Sequence, residues 1–88
     1  MFKILLHPLA AKFFQKIDKE TGRRIKNKIK ELEEFPKQRG KHMKYVNFWT
    51  LRIGDYRAIY EINDKENDIV VLFIGHRDDV YDDFSKLF

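Results

Sequence analysis

Hydrophobic positions along the 88-residue chain change period several times, and the changes mark its elements. FKILLH, residues 2–7, is a short apolar run stopped by Pro8, the pattern of a brief β-strand. Leu9, Phe13 and Ile17 then recur at helical spacing with Ala10 and Phe14 beside them, predicting a helix over 9–18. TGRRIKNKIKELEEFP carries a second helical stripe of Ile25, Ile29, Leu32 and Phe35, ended by Pro36. Thr21-Gly22 lies between the two phases, so a helical hairpin is expected rather than one rod. PKQRGKHMK, residues 36–44, reads as a basic loop made flexible by Gly40. Strands follow over roughly 45–53, 55–62 and 69–75, the first two joined by a tight Gly54-Asp55 turn and the last two by the polar NDKEND. Val80, Tyr81, Phe84, Leu87 and Phe88 form a last helical stripe, with Asp78 or Asp79 near its start. The order βααβββα predicts one α+β domain over residues 1–88, a helical hairpin packed on a twisted antiparallel sheet.

The Gly54-Asp55 turn fixes a register. A two-residue loop sets Ile53 against Tyr56, Arg52 against Arg57, Leu51 against Ala58 and Trp49 against Tyr60. Trp49, Leu51, Ala58, Tyr60 and Ile62 then share the face that meets the hairpin, and Arg52 and Arg57 oppose each other on the other face. Like charges directly across a strand pair are destabilising. Either the two arginines splay into water or they jointly hold an anion, for which a guanidinium fork is well shaped. Pairing Ile62 with Ile69 places Arg57 beside Ile74 and His76 diagonal to it on the same face. Arg77 follows where the chain leaves the sheet, and Tyr81 can return on the first helical turn.

Composition sharpens this picture. Hydrophobic residues make up 43% of the chain and aromatics 15%, enough for a modest core. No apolar run approaches the ~20 residues of a membrane helix, and the opening segment lacks a signal-peptide pattern. Cysteine is absent, which excludes disulfides and thiolate metal sites and fits a cytoplasmic address. The net charge of +4 is unevenly spread. Residues 1–57 hold 15 Lys+Arg against 6 Asp+Glu, a balance of +9, while residues 58–88 hold 3 against 8, a balance of −5. A basic bulk with an acidic tail suits a polyanionic partner, although a lysine-rich solvated face gives the same count. The cations that could meet such a partner are Arg23, Arg24, Lys26 and Lys30 on the second helix, Arg39, Lys41, His42 and Lys44 in the basic loop, and Arg52.

Three strand ends that bring Arg52, Arg57 and His76 together, with Arg77 and Tyr81 close by, have the parts for RNA phosphodiester cleavage. The 2′-hydroxyl beside the scissile phosphate is an internal nucleophile, so neither a metal nor a cofactor is required. The protein must supply in-line positioning, cations and proton transfer. Arg57 and Arg77 suit the cationic role. His76 suits proton exchange, because an imidazole ordinarily titrates near ~6.5. Two plainer readings stand beside these: His76 as a hydrogen-bonded strand end, and Tyr81 as part of the core. The three histidines lack metal-ligand spacing, and there is no glycine-rich phosphate loop.

The strings LRIGDYRAIYEI (51–62) and VVLFIGHRDDVY (70–81), with the leading strand and basic hairpin, resemble the RelE/ParE toxin superfamily, and the RelE side of it in particular. The resemblance implies a toxin that cuts mRNA in the ribosomal A site without a metal and is neutralised by a RelB-like antitoxin. It matches Arg57 to the phosphate-contacting arginine of the strand motif. Arg77 matches the arginine that stabilises the transition state, and Tyr81 the C-terminal tyrosine of proton transfer. Bacterial relatives carry lysines in the strand where this chain has Phe48 and Thr50, so no lysine base carries over. His76 is the nearest substitute, with Lys41, His42 and Lys44 further off. The alternatives within the superfamily are a ParE-like poison of DNA gyrase and a degenerate member that only binds antitoxin. An apolar stretch beside Arg57, comprising Ile59, Val70, Leu72 and Ile74, is the expected seat of an antitoxin segment.

Overall fold

The computed structural model describes residues 1–44 and 46–88. Its elements are β1 (Lys3–Leu6), α1 (Pro8–Lys16), α2 (Lys19–Lys30), a 3₁₀ turn (Glu31–Glu33), α3 (Pro36–Arg39), β2 (Lys41–His42), β3 (Phe48–Ile53), β4 (Tyr56–Asn63), β5 (Asp68–His76) and α4 (Val80–Leu87). The expected α+β order stands, and among the described residues no helix is long and apolar enough to cross a membrane. The five strands form one sheet in the order β1-β5-β4-β3-β2.

The sheet is mixed rather than wholly antiparallel. β1 runs parallel to β5, with Ile4 beside Ile69 and Leu6 beside Val71. A parallel pair needs a long crossover between its strands, and the helical hairpin is part of that connection. The remaining pairs are antiparallel. Pro8 both stops β1 and opens α1, where its missing N–H costs nothing, and His7 caps the helix by accepting Leu9 N–H at Nδ1 (3.1 Å).

The hairpin breaks at Ile17-Asp18, earlier than the Thr21-Gly22 break expected from the sequence. Asp18 is the N-cap of α2, and its carboxylate accepts the Thr21 N–H (3.0 Å). That bond holds the Asp18 carboxyl below its ordinary range. Gly22 serves packing instead: a Cβ there would lie 3.3 Å from Ile17 Cγ2 and 3.7 Å from Phe14 Cδ1. Pro36 ends one helical stretch but also begins α3 at its first position, so the 36–44 segment is partly ordered structure rather than a loop. The expected strand start at Tyr45 lies outside the described residues, and β3 itself begins at Phe48.

Two apolar clusters sandwich the sheet. Ala10, Ile25, Ile29 and Leu32 of the helical layer pack on Leu51, Ile53, Ala58, Tyr60, Ile69, Val71 and Ile74. On the opposite face Ile59 and Leu72 are covered by Val80 and Phe84 of α4, flanked by Met43, Phe48, Val70 and Phe73. The apolar face expected to await a partner is therefore largely occupied by the chain's own last helix. Ile74 belongs to the hairpin side, and Phe73 takes its expected place beside Leu72.

Candidate functional site

The Gly54-Asp55 turn organises one end of the sheet. Gly54 adopts φ +57°, a left-handed conformation that favours glycine. The register it sets is the expected one: Arg52 opposes Arg57, Leu51 opposes Ala58, and Trp49 opposes Tyr60. Arg52 and Arg57 thus lie on the face away from the hairpin. Their repulsion is eased because Arg57 folds back along its own strand, with Nη1 donating to the carbonyls of Gly54 (2.9 Å) and Tyr56 (2.8 Å).

β5 departs from the expectation midway. Ile62 does pair with Ile69, but the register shifts between Ile59 and Tyr60, so that Arg57 meets Gly75 rather than Ile74. Leu72 and Phe73 consequently both belong to the α4 side, a β-bulge that inserts one extra residue. Every residue after the bulge changes face. His76 therefore sits opposite Tyr56 on the hairpin side, its ring edge-on to the Tyr56 ring at 5.9 Å. His76 Nδ1 accepts the Asp78 N–H (3.3 Å). The placement of His76 beside Arg57 on one face is thus corrected.

Past the sheet the chain turns over the hairpin tip. Arg77 N–H donates to Asp55 O (2.8 Å), and its guanidinium lies 3.8 Å from the Asp55 carboxylate and 3.9 Å from that of Asp78. α4 then closes on the sheet at Gly75, where a Cβ would stand 3.3 Å from Val80 Cβ and Cγ2. Val80 is fully buried and Phe84 nearly so, whereas Tyr81 is 44% exposed. Tyr81 is off the buried stripe, which leaves its phenol free for a site.

Lys41, His42, Met43, Lys44, Thr50, Arg52, Arg57 and Tyr81 line a cleft of about 500 Å³, a volume in the range of small-ligand sites. Four permanent cations line it and no carboxylate does. β2 delivers Lys41 directly across from Thr50, and His42 across from Trp49, against whose ring the imidazole lies tilted at 4.8 Å between centroids. The segment before β2 is anchored from below: the buried Tyr60 hydroxyl donates to Pro36 O (2.5 Å), and burial pushes the Tyr60 phenol above its ordinary range. Gly40 is required there by close approach rather than flexibility, since the Tyr60 hydroxyl fills the space a Cβ would need.

The other cations named from the sequence lie elsewhere. Arg23 and Arg24 line a groove with Glu20, Thr21 and Asn27. Lys26 and Lys30 flank an apolar groove beside Ile4 and Leu6, and Lys26 sits over the Phe14 ring. Arg39 pairs with Glu31 (3.5 Å). Of the expected catalytic set, the cleft brings together Arg57 and Tyr81, whereas Arg77 stands at the neighbouring turn and His76 on the other face. Met43 was not named from the sequence and Thr50 only as standing where bacterial relatives carry a lysine, although strict alternation from Arg52 places Thr50 on the same face. Chemically, the cleft can hold a phosphodiester among several cations and offer it a phenol.

The sequence matches the family described as the ParE toxin of type II toxin–antitoxin systems, parDE, over residues 4–81. No curated protein matches the chain. Among solved structures, the isolated Escherichia coli RelE toxin superposes with a TM-score of 0.76 at 21% identity, covering 99% of this chain and 98% of that one. A chain of the Mycobacterium tuberculosis RelBE2 toxin–antitoxin complex gives a TM-score of 0.79 at 22% identity, over 86% of this chain and 98% of that one. A chain of the archaeal RelE–RelB complex from Pyrococcus horikoshii OT3 gives 0.71 at 26% identity, over 86% and 94%. The family match over most of the chain, with the fold shared with these toxins, shows that this chain is a toxin of a type II toxin–antitoxin system and belongs to the RelE/ParE superfamily.

Proposed function

We propose that the chain is a RelE-like endoribonuclease that cuts mRNA in the ribosomal A site without a metal and is neutralised by a RelB-like antitoxin. The observation that carries this reading is the cleft: Arg57 and Tyr81 face a common space with Lys41, Lys44 and Arg52, and no lining carboxylate repels a phosphate. In the reaction the 2′-hydroxyl oxygen attacks the adjacent phosphorus, and the bond to the 5′-oxygen breaks. Charge builds on the phosphoryl oxygens, and Arg57 meets it from the lining of the cleft. The 2′-hydroxyl loses its proton to solvent water, and the Tyr81 phenol, exposed on the first turn of α4, gives one to the departing 5′-oxygen. Arg77 joins when a phosphate oxygen replaces Asp55 and Asp78 as its partner, a ready exchange because both ion pairs are long and solvent-exposed. His76 positions Asp78 through its Nδ1 and does not touch the reacting atoms.

A ParE-like, non-catalytic gyrase poison is the second reading, favoured by the absence of Arg77 from the cleft lining. Purified toxin added to translating ribosomes separates the two. New mRNA ends within A-site codons, persisting in chelator and lost in Arg57→Ala and Arg77→Ala, support cleavage. Intact mRNA together with trapped gyrase–DNA complexes overturns it.

A further inference from the structure

Among the described residues, Thr50 Oγ1 is the one buried side-chain polar atom without a hydrogen-bond partner. Buried hydroxyls in folded proteins are nearly always bonded, so an orphan calls for an explanation in function or in lost stability. This one belongs to a residue of the cationic cleft, on the face of Arg52 and Arg57, and directly across the ladder from Lys41.

We propose that Thr50 and Lys41 are the substrate-positioning pair of the cleft, and that the Thr50 hydroxyl is the member of it that distinguishes RNA from DNA. The Thr50 hydroxyl bonds a ribose 2′-hydroxyl, and the Lys41 ammonium takes a phosphate oxygen beside it. This rests on the nuclease reading above. Threonine reaches its other staggered positions by rotation about χ1, so an entering nucleotide can draw the hydroxyl from its buried position into the cleft. A hydroxyl both donates and accepts, which matches the 2′-hydroxyl, the group that separates the two nucleic acids. Arg52, Arg57 and Lys44 meet phosphate, which RNA and DNA share, and cannot make the distinction. Tyr81, the other hydroxyl of the lining, is exposed and committed to proton exchange. A neutral hydroxyl between cations is otherwise a poor choice at that position, because it forgoes both charge and a partner.

The test is binding of one sequence as a short RNA strand, as DNA and as RNA with single 2′-deoxy substitutions, alongside thermal unfolding. Thr50→Val keeps the shape and removes the hydroxyl. It is expected to raise Tm, since a buried orphan is lost, and to weaken RNA binding by about fivefold, the size of one hydrogen bond, with DNA binding unchanged. Thr50→Ser is expected to keep the preference for RNA. Lys41→Gln is expected to weaken RNA and DNA alike and to lower the salt slope by about one. An RNA-to-DNA ratio in Thr50→Val equal to that of the unaltered toxin overturns the proposal, as does a fall in its Tm. Those results leave mRNA cleavage by the unaltered toxin in place. Absence of that cleavage overturns the nuclease reading instead.

Discussion

Arg57, at the start of β4, and Arg77, just past the end of β5, both donate hydrogen bonds to the Gly54-Asp55 turn. Arg57 Nη1 donates to the carbonyls of Gly54 and Tyr56, and the Arg77 backbone N–H donates to Asp55 O. The two guanidiniums are therefore staged around one structural pivot, although only Arg57 lines the cleft. Asp55, the carboxylate of the turn, is paired with the Arg77 guanidinium.

Asp55→Asn removes one counter-ion of Arg77 while keeping the turn's shape. The pair is exposed and 3.8 Å long, so folding stability should move by less than ~0.5 kcal/mol. RNA affinity should rise about two- to fivefold at low ionic strength, the scale of an exposed ion pair, and the gain should shrink as salt is added. Fluorescence anisotropy across a salt series measures both. Equal or weaker binding by the variant would mean that Arg77 takes no part in holding RNA.

Gly75→Ala probes how α4 is seated. The new methyl group would press on Val80 Cβ and Cγ2 at 3.3 Å, and the helix must yield because the sheet beneath it is packed. A cost of about 1–3 kcal/mol is expected, in line with overpacked cores. Since Tyr81 follows Val80, cleavage should fall further than stability does. Urea unfolding and hydrogen exchange within α4 report the two effects separately, and unaltered exchange there would contradict this picture.

Tyr60→Phe tests the anchor beneath the basic segment. Losing the donor to Pro36 O should cost about 1–2 kcal/mol at neutral pH. Alkali adds an independent signature. Burial raises the folded-state pKa of Tyr60, so its proton stays on in the fold after the unfolded chain has begun to release it near ~10. Stability from this group is thus fully present below pH ~10 and is lost as pH climbs above it. The gap between wild type and Tyr60→Phe should narrow over that range in denaturant titrations. A constant gap would mean that the phenol ionises equally in both states.

How much of this was legible beforehand depends on where the chain carries local punctuation. Gly54-Asp55 states its turn outright, and every β3–β4 partner counted from it is correct. Val70 to Ile74 carries no such mark. Five consecutive apolar residues have no alternation, so nothing in the pattern reveals that Leu72 is an extra residue, and His76 was assigned to the wrong face. The hairpin break expected at Thr21-Gly22 is set instead by the N-cap carboxylate of Asp18, while Gly22 answers to packing. The direction of β1 is not written locally at all, because its partner lies far along the chain. The cationic members of the cleft were recognisable as residue types. Their sorting into Lys41, Lys44, Arg52 and Arg57 on one side, and Arg23, Lys26 and Arg39 elsewhere, needed the fold.

That distant pairing of Lys3 with Asp68 bears on how the protein is made. In the sheet the first strand has no neighbour but the fifth, so it stays unpaired until the fifth has been made, and Tyr81 comes later still. On the growing chain the cleft therefore stays incomplete until Tyr81 has been added, and folding of the site waits for a segment far along the chain from its first strand.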